Sequence, residues 1–150
     1  MAGLTSAICT SFKVELLEGD HDFNNGADAF KIALFKANAS ISGTYGAATT
    51  NYSNVTGNSD ETTGTNYSAG GNTLTNVNPT STSTTAFTDF ADTSWSTATF
   101  TTRGALIYNS NDSNSAVMVI DFGADYAVSG GTFTVEFPTA SSSAAILRIA

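Results

Sequence analysis

Charged residues are scarce in this chain, and positive ones are the scarcest. Only 5 lysines and arginines stand against 13 aspartates and glutamates in 150 residues, so the formal net charge is −8 with histidine neutral. Proteins that bind nucleic-acid phosphates or anionic membranes need a concentration of positive charge. Because the few basic residues do not cluster, the sequence predicts neither a nucleic-acid partner nor a membrane partner.

Cysteine and histidine are each present only once, as Cys9 and His21. A single thiol cannot form an intrachain disulfide, which excludes a disulfide-stabilised secreted scaffold. The chain has neither an apolar run of about 18 residues nor a signal peptide with a basic start. We therefore expect synthesis in the cytoplasm of the host cell.

Helical periodicity is also nearly missing, whereas threonine, serine, asparagine and glycine are abundant. Threonine favours strands, and the other three favour turns. Short apolar segments separated by turn residues recur at a spacing typical of β-sandwiches. The sequence predicts one domain over residues 1–150, an all-β antiparallel sandwich of about eight to ten strands, with a jelly roll as one form of it.

Two early segments alternate apolar and polar residues. Residues 11–19, SFKVELLEG, place Phe12, Val14 and Leu16 on one side of an extended chain, and residues 29–37, AFKIALFKA, repeat the pattern. Alternation with period two is typical of a half-buried strand. With an Asn-Asn-Gly turn between them, the two segments are predicted to form an antiparallel pair.

A long polar region follows over residues 38–71, and we predict a loop or arm that contains only short elements. Loops often carry partner contacts, and exposed aromatic residues are common anchors of protein interfaces. The aromatic residues predicted to contact partners are Phe23, Tyr45, Tyr52, Tyr67 and Trp95.

The most site-like cluster is GDHDF, in which His21 lies between Asp20 and Asp22. A catalytic triad or a transition-metal site would have to use this one histidine, and no G-x-S-x-G motif accompanies it. We therefore predict a turn with solvated carboxylates and an exposed histidine. The sequence assigns no catalytic residue, no cofactor and no metal.

Four further aspartates could in principle form catalytic pairs. Asp89 and Asp92 bracket one turn, and Asp121 and Asp125 bracket another. Aspartate at a strand end commonly accepts backbone N–H groups. We predict that capping role for all four.

Arg103 interrupts an apolar strand in the stretch TFTTRGALIYN. The glycine after it, Gly104, is typical of a β-bulge, which would turn the arginine out of the strand alternation. We predict a structural ion pair with Asp89, Asp92 or Asp121.

Several ordered blocks, among them FKIALFKA, TTRGALIYN and AVMVIDFG, resemble a family of small proteins encoded by tailed bacteriophages and prophages. The resemblance covers nearly the whole chain, and its most specific part is the pattern that joins RGALIYN to DFG. Thr102 stands where the family pattern has alanine.

The resemblance implies a non-enzymatic structural protein of the virion, with a β-rich fold and no active site. Within that setting we expect a capsid decoration or cement protein on the outer surface of the head. Its partners would be the major capsid protein and copies of itself in a homo-oligomer. The alternative is a tail, baseplate or fibre-type adhesin module that binds a host-surface glycan.

Overall fold

Strands account for 48% of the computed structural model and helices for 11%. The structure describes residues 2–150. Its sheets are antiparallel apart from one short bridge, and they pack together, which confirms the prediction of an all-β, sandwich-like fold. Neither helix of the described chain is long and apolar enough to cross a membrane.

The sandwich is built from a five-stranded sheet, in the order β2-β9-β8-β3-β5, and a three-stranded sheet, in the order β10-β7-β6. A two-residue parallel bridge joins β1 to β4. The elements are β1 Gly3–Leu4, β2 Ala7–Ile8, α1 Thr10–Glu18, β3 Phe30–Phe35, a 3₁₀ turn Asn38–Ser40, β4 Thr44–Tyr45, α2 Ser53–Gly57, β5 Asn72–Thr73, β6 Asn76–Thr82, β7 Thr85–Phe90, β8 Thr93–Asn109, β9 Ser115–Val135 and β10 Leu147–Ile149.

The central strands of the five-stranded sheet are buried on both faces. Residues 104–109 of β8 and 116–119 of β9 are all buried, and so are five of the six residues of β3. A strand covered on both sides has a continuous apolar sequence instead of an alternating one. This explains the unbroken runs GALIY and AVMV.

One face of the large sheet packs against α1, the turn after it and the three-stranded sheet. Phe23 stacks on Phe30 with ring centroids 4.5 Å apart, and Phe30 lies 5.5 Å from Phe90 of β7. Phe12 of α1 meets Phe23 edge to face at 6.0 Å. Aromatic contacts therefore join both sheets and the helix in one core.

The segment predicted as the first long strand is a helix. In α1, Phe12 is buried and Leu16, one turn later, packs against the core, whereas Leu17 is 90% exposed. Lys, Glu and Leu are good helix formers, and Gly19 ends the helix in the left-handed conformation with φ of 87°. The spacing of Phe12 and Leu16 fits both the period of a strand and that of a helix. Because β3 pairs with β8 and β5, this segment has no strand to pair with, and it forms a helix.

The polar region 38–71 covers the second face of the large sheet and does not project as an arm. Tyr45 packs on Phe35 at 4.7 Å, and Tyr52 stacks on Tyr108 at 4.6 Å. Its short elements are the 3₁₀ turn, β4 and α2. A tyrosine-bearing segment can cover a sheet without apolar runs because each ring buries a large area.

Candidate functional site

His21 is buried, with its side chain fully shielded from solvent, so the prediction of an exposed loop histidine is wrong. Its Nε2 lies 2.9 Å from Oε2 of Glu15, and its Nδ1 lies 3.0 Å from Nδ2 of Asn109. The ring also packs against Phe12 at 4.8 Å. The turn folds back on α1, which brings His21 between the helix and the end of β8.

The hydrogen bonds of Asn109 determine the tautomer of His21. Oδ1 of Asn109 accepts the backbone N–H groups of Asn111 and Asp112, and its Nδ2 donates to Asp28 at 2.7 Å. The amide therefore presents its second N–H to His21, whose Nδ1 must accept it. In a neutral imidazole the proton then lies on Nε2 and is donated to Glu15.

Glu15, His21 and Asp112 each place one donor atom within 4.8 Å of the other two, a spacing compatible with a metal ion. A metal at Nε2 would need the lone pair of that nitrogen. A metal on Nε2 would move the ring proton to Nδ1, where it would face the N–H of Asn109 instead of an acceptor, so the arrangement fits a hydrogen-bonded cluster and not a metal centre. Because Nε2 carries the proton and Nδ1 accepts the N–H of Asn109, neither ring nitrogen is available to take a proton from a substrate.

The aspartates considered as catalytic pairs accept backbone N–H groups. Asp92 accepts from Phe137, and Asp125 accepts from Asn38, at 2.8 and 2.9 Å. Asp89 is 1% exposed and accepts the N–H of Phe90 at 2.8 Å. Burial raises the pKa of Asp89, while the backbone N–H groups act in the opposite direction.

The tyrosines of region 38–71 donate to two adjacent carboxylates. Tyr45 donates to the fully buried Asp60 at 2.7 Å, and Tyr67 donates to Glu61 at 2.7 Å. Tyr52 also donates to Glu61. Burial raises the pKa of Tyr45 to about 12, and the bond to Asp60 adds to the effect. Each tyrosine thus buries its ring and satisfies its hydroxyl inside the chain.

The residues predicted to contact partners are consequently core residues. Phe23, Tyr45 and Trp95 are at most 6% exposed, and Tyr52 and Tyr67 are only partly exposed and pack against the same core. Position in a loop suggested exposure for the three tyrosines. The sequence held no sign that the loop folds down over a sheet.

Arg103 pairs with Asp121, one of the three partners predicted for it. The distance from Nε to Oδ1 is 2.7 Å, and both side chains are about one-fifth exposed. The hydrogen bond from Arg103 lowers the pKa of Asp121, against the effect of burial. The predicted bulge is present here, but the extra residues lie on β9: Gly104 pairs with Asp121 and Thr102 with Tyr126.

Gly104 has a different role from the predicted one. A Cβ atom there would lie 2.2 Å from the carbonyl oxygen of Ile120 and 2.6 Å from Cδ1 of Leu4. Glycine is required because the backbones of β8 and β9 approach closely at the edge of the bulge.

The surface beside this bulge carries an open, partly apolar groove of about 290 Å³ along β9. The groove is lined by Phe122, Tyr126, Phe133, Thr134, Val135 and Glu136. Tyr126 is 49% exposed, and its ring meets Phe122 at 6.2 Å. Local sequence gave no sign of this surface, because Tyr126 lies in the stretch GADYAVSGG, whose residues are typical of turns.

The same part of β9 has an unpaired backbone edge. After Asp121, the described hydrogen bonds of β9 to another strand are those to β8. The opposite edge of the ribbon, on β8, is capped: Thr65 bridges to Thr99, and the amide of Asn66 donates to the carbonyl of Thr97 at 2.9 Å. Only one edge of this ribbon is therefore open to a further strand.

Fold and site together define an all-β protein with a hydrogen-bonded structural histidine and an open sheet edge beside an aromatic groove. Comparison with protein-family models, with curated proteins and with solved structures finds no match to this chain.

Proposed function

We propose that this chain is a non-enzymatic structural protein of a tailed-bacteriophage particle, in the first instance a capsid decoration or cement protein. The resemblance of its ordered sequence blocks to small phage proteins supports the assignment to a particle. The chemistry of its reactive groups supports a non-catalytic role. Both nitrogens of His21 are engaged, and burial raises the pKa of the Cys9 thiol to about 11, with Glu15 adding to the effect.

The observation that carries the proposal is the open edge of β9 with its aromatic groove. A protein that attaches to an assembled shell needs a contact surface that its own fold leaves unsatisfied. Edge strands are normally shortened, covered or charged because they recruit other chains. β9 keeps such an edge over many residues, and a contact repeated by the symmetry of a shell adds up to firm attachment.

The experiment is fractionation of particles from the phage that encodes the chain. Heads and tails are separated, and mass spectrometry locates the chain in each fraction. We expect it on heads in a fixed ratio to the major capsid protein, and we expect purified protein to rebind heads from which it has been stripped. Recovery with tails, or its absence from both fractions, would contradict the proposal.

The groove also gives a specific reason to test the adhesin alternative. Tyr126 offers an exposed ring face, and Glu136 and Thr134 offer polar atoms beside it. Aromatic stacking with nearby hydrogen-bonding groups suits a sugar. Binding of the purified chain to a glycan array, lost in Tyr126→Ser, would favour a tail-fibre role over a capsid role.

A further inference from the structure

We infer that β9 accepts an extended segment of another protein as an added strand, and that this segment is apolar at alternate positions with basic residues at its ends. The inference deepens the proposed function, on which the identity of the partner as a particle subunit depends. The contact itself follows from the edge, the groove and the charges around them.

The unpaired backbone edge of β9 can supply main-chain hydrogen bonds to an added strand. Strand addition gains affinity from main-chain hydrogen bonds between an open edge and an extended peptide. The edge strands of the two sheets carry protecting features: β2 and β5 are two residues long, β10 is three residues long, and β6 has Pro79 inside a register shift. β9 is the longest strand, and its residues from Gly123 to Tyr126 and at Ser129 are exposed.

The groove beside this edge can supply specificity. Strand addition gains specificity when alternate side chains of the incoming segment enter pockets beside the edge. Phe122, Tyr126 and Phe133 line such a groove on the face of β9. The bulge at Gly130, where φ is 63°, divides the edge into Tyr126–Ser129 and Gly131–Val135. Each part is long enough for a short strand.

The charges determine the occupant. The stretch from Tyr126 to Val135 contains no charged residue, but Asp125 precedes it and Glu136 follows it. Arg103 also interacts electrostatically with Asp125, but its guanidinium is paired with Asp121. An incoming strand with lysine or arginine at both ends would meet opposite charges at both ends of the edge.

The same charges argue against a second copy of this chain. Symmetric antiparallel pairing of two β9 edges, centred on the uncharged stretch, places Asp125 of one copy beside Glu136 of the other. Like charges placed directly opposite each other on paired strands are destabilising. The net charge of −8 opposes self-association as well.

The test uses the full chain and a set of capped twelve-residue peptides, which match the twelve positions from Asp125 to Glu136. Each peptide has lysine at both ends, one apolar residue type at the even positions from the second to the tenth, and threonine at the odd positions from the third to the eleventh. Matched peptides carry glutamate at both ends. We expect the lysine peptides to bind with amide shifts confined to β9, about tenfold more tightly than the glutamate peptides.

Two further arms identify the mode of binding. N-methylation along one edge of the tightest peptide removes its main-chain donors, and binding should fall by about tenfold or more. Glu136→Lys should weaken the lysine peptides and strengthen the glutamate ones, without a change in the fold. Tyr126→Ser should reduce binding, whereas the matched control Leu17→Ser, which removes an apolar side chain from the exposed face of α1, should leave it unchanged.

The inference is overturned if no peptide of the set binds, if N-methylation has no effect, or if sedimentation shows dimers that Tyr126→Ser dissociates. These outcomes are independent of particle fractionation. Peptide binding by a chain that does not travel with heads would refute the capsid role and leave the strand-acceptor surface in place. Attachment to heads without peptide binding would support the capsid role and refute the strand-acceptor surface.

Discussion

The side-chain amide of Asn109 lies 3.0 Å from Nδ1 of His21 and 2.7 Å from Oδ2 of Asp28, and it is completely buried. Four hydrogen bonds converge on this one side chain. They connect the end of β8 to the turn after α1 and hold the imidazole with its proton on Nε2.

We expect nitrogen-detected NMR of the native protein to show His21 as the Nε2–H tautomer. A Nδ1–H signal would contradict the arrangement.

Asn109→Ala should lower the free energy of unfolding by about 2–4 kcal/mol, because buried donors and acceptors lose their partners. Urea denaturation measures the loss. Asn111→Ala, which removes one exposed acceptor from the N–H of Ala29, is the control and should cost about 1 kcal/mol or less.

Tyr45→Phe removes one hydroxyl from the buried carboxylate of Asp60. Burial alone would raise the pKa of Asp60, but the bonds from Tyr45, Ser42 and Gly43 lower it overall. We expect a loss of about 1–3 kcal/mol at neutral pH. The matched control is Tyr126→Phe, at a half-exposed residue whose hydroxyl has no hydrogen-bond partner in the described chain. This variant should unfold at the same urea concentration as the parent.

Acid should remove the stabilisation that comes from Arg103 and Asp121. The pKa of Asp121 is lower in the folded state than in the unfolded state. Its contribution to stability is therefore complete above the unfolded-state pKa of about 4, and it is lost as the pH falls through the folded-state pKa. In Arg103→Met we expect a smaller loss of stability below about pH 4 than in the parent. The control is Lys13→Met, on the exposed face of α1, which should lose stability in acid as the parent does. If the Lys13→Met and Arg103→Met variants lost stability in acid to the same extent, the ion pair would be contradicted.

Alkali should act through the buried tyrosines. Burial raises the pKa of Tyr45 and of Tyr108 to about 12, and it also raises the pKa of Tyr52 and Tyr67. A raised folded-state pKa gives stability that is complete below about pH 10 and is lost above it. Absorbance at the phenolate band measures the ionisation of these four tyrosines, and circular dichroism measures unfolding. The two transitions should occur at the same pH. Ionisation well before unfolding would contradict the buried network.

Gly104→Ala should destabilise the protein by about 1–3 kcal/mol or more, because its Cβ would overlap the backbone of Ile120. The control is Gly57→Ala at the end of α2, where no heavy atom lies within 4 Å of the added Cβ. That change should be neutral or stabilising by up to about 1 kcal/mol. Thermal unfolding compares the two, and equal effects would contradict the close approach of β8 and β9.

The all-β class and the buried strands were predictable because they depend on composition and on local apolar runs. GALIY and AVMV are short, continuous apolar runs with β-branched or aromatic residues, which is typical of strands covered on both faces. The partner of Arg103 was predictable to within three aspartates, since a cation inside an apolar strand needs a nearby carboxylate. Helix α1 was not predicted, although Gly19 and the adjacent Leu16 and Leu17, which break the alternation, were available signals.

The sequence by itself determined the class of fold, the strands of the core and the lack of positive charge. Those properties follow from the type and order of residues along the chain. The tertiary structure alone decided that region 38–71 covers a sheet, that His21 is buried with both nitrogens engaged, and that β9 keeps an open edge. Each of these depends on contacts between residues far apart in the chain, such as His21 with Asn109 and Tyr45 with Asp60, and local sequence patterns do not encode such pairings.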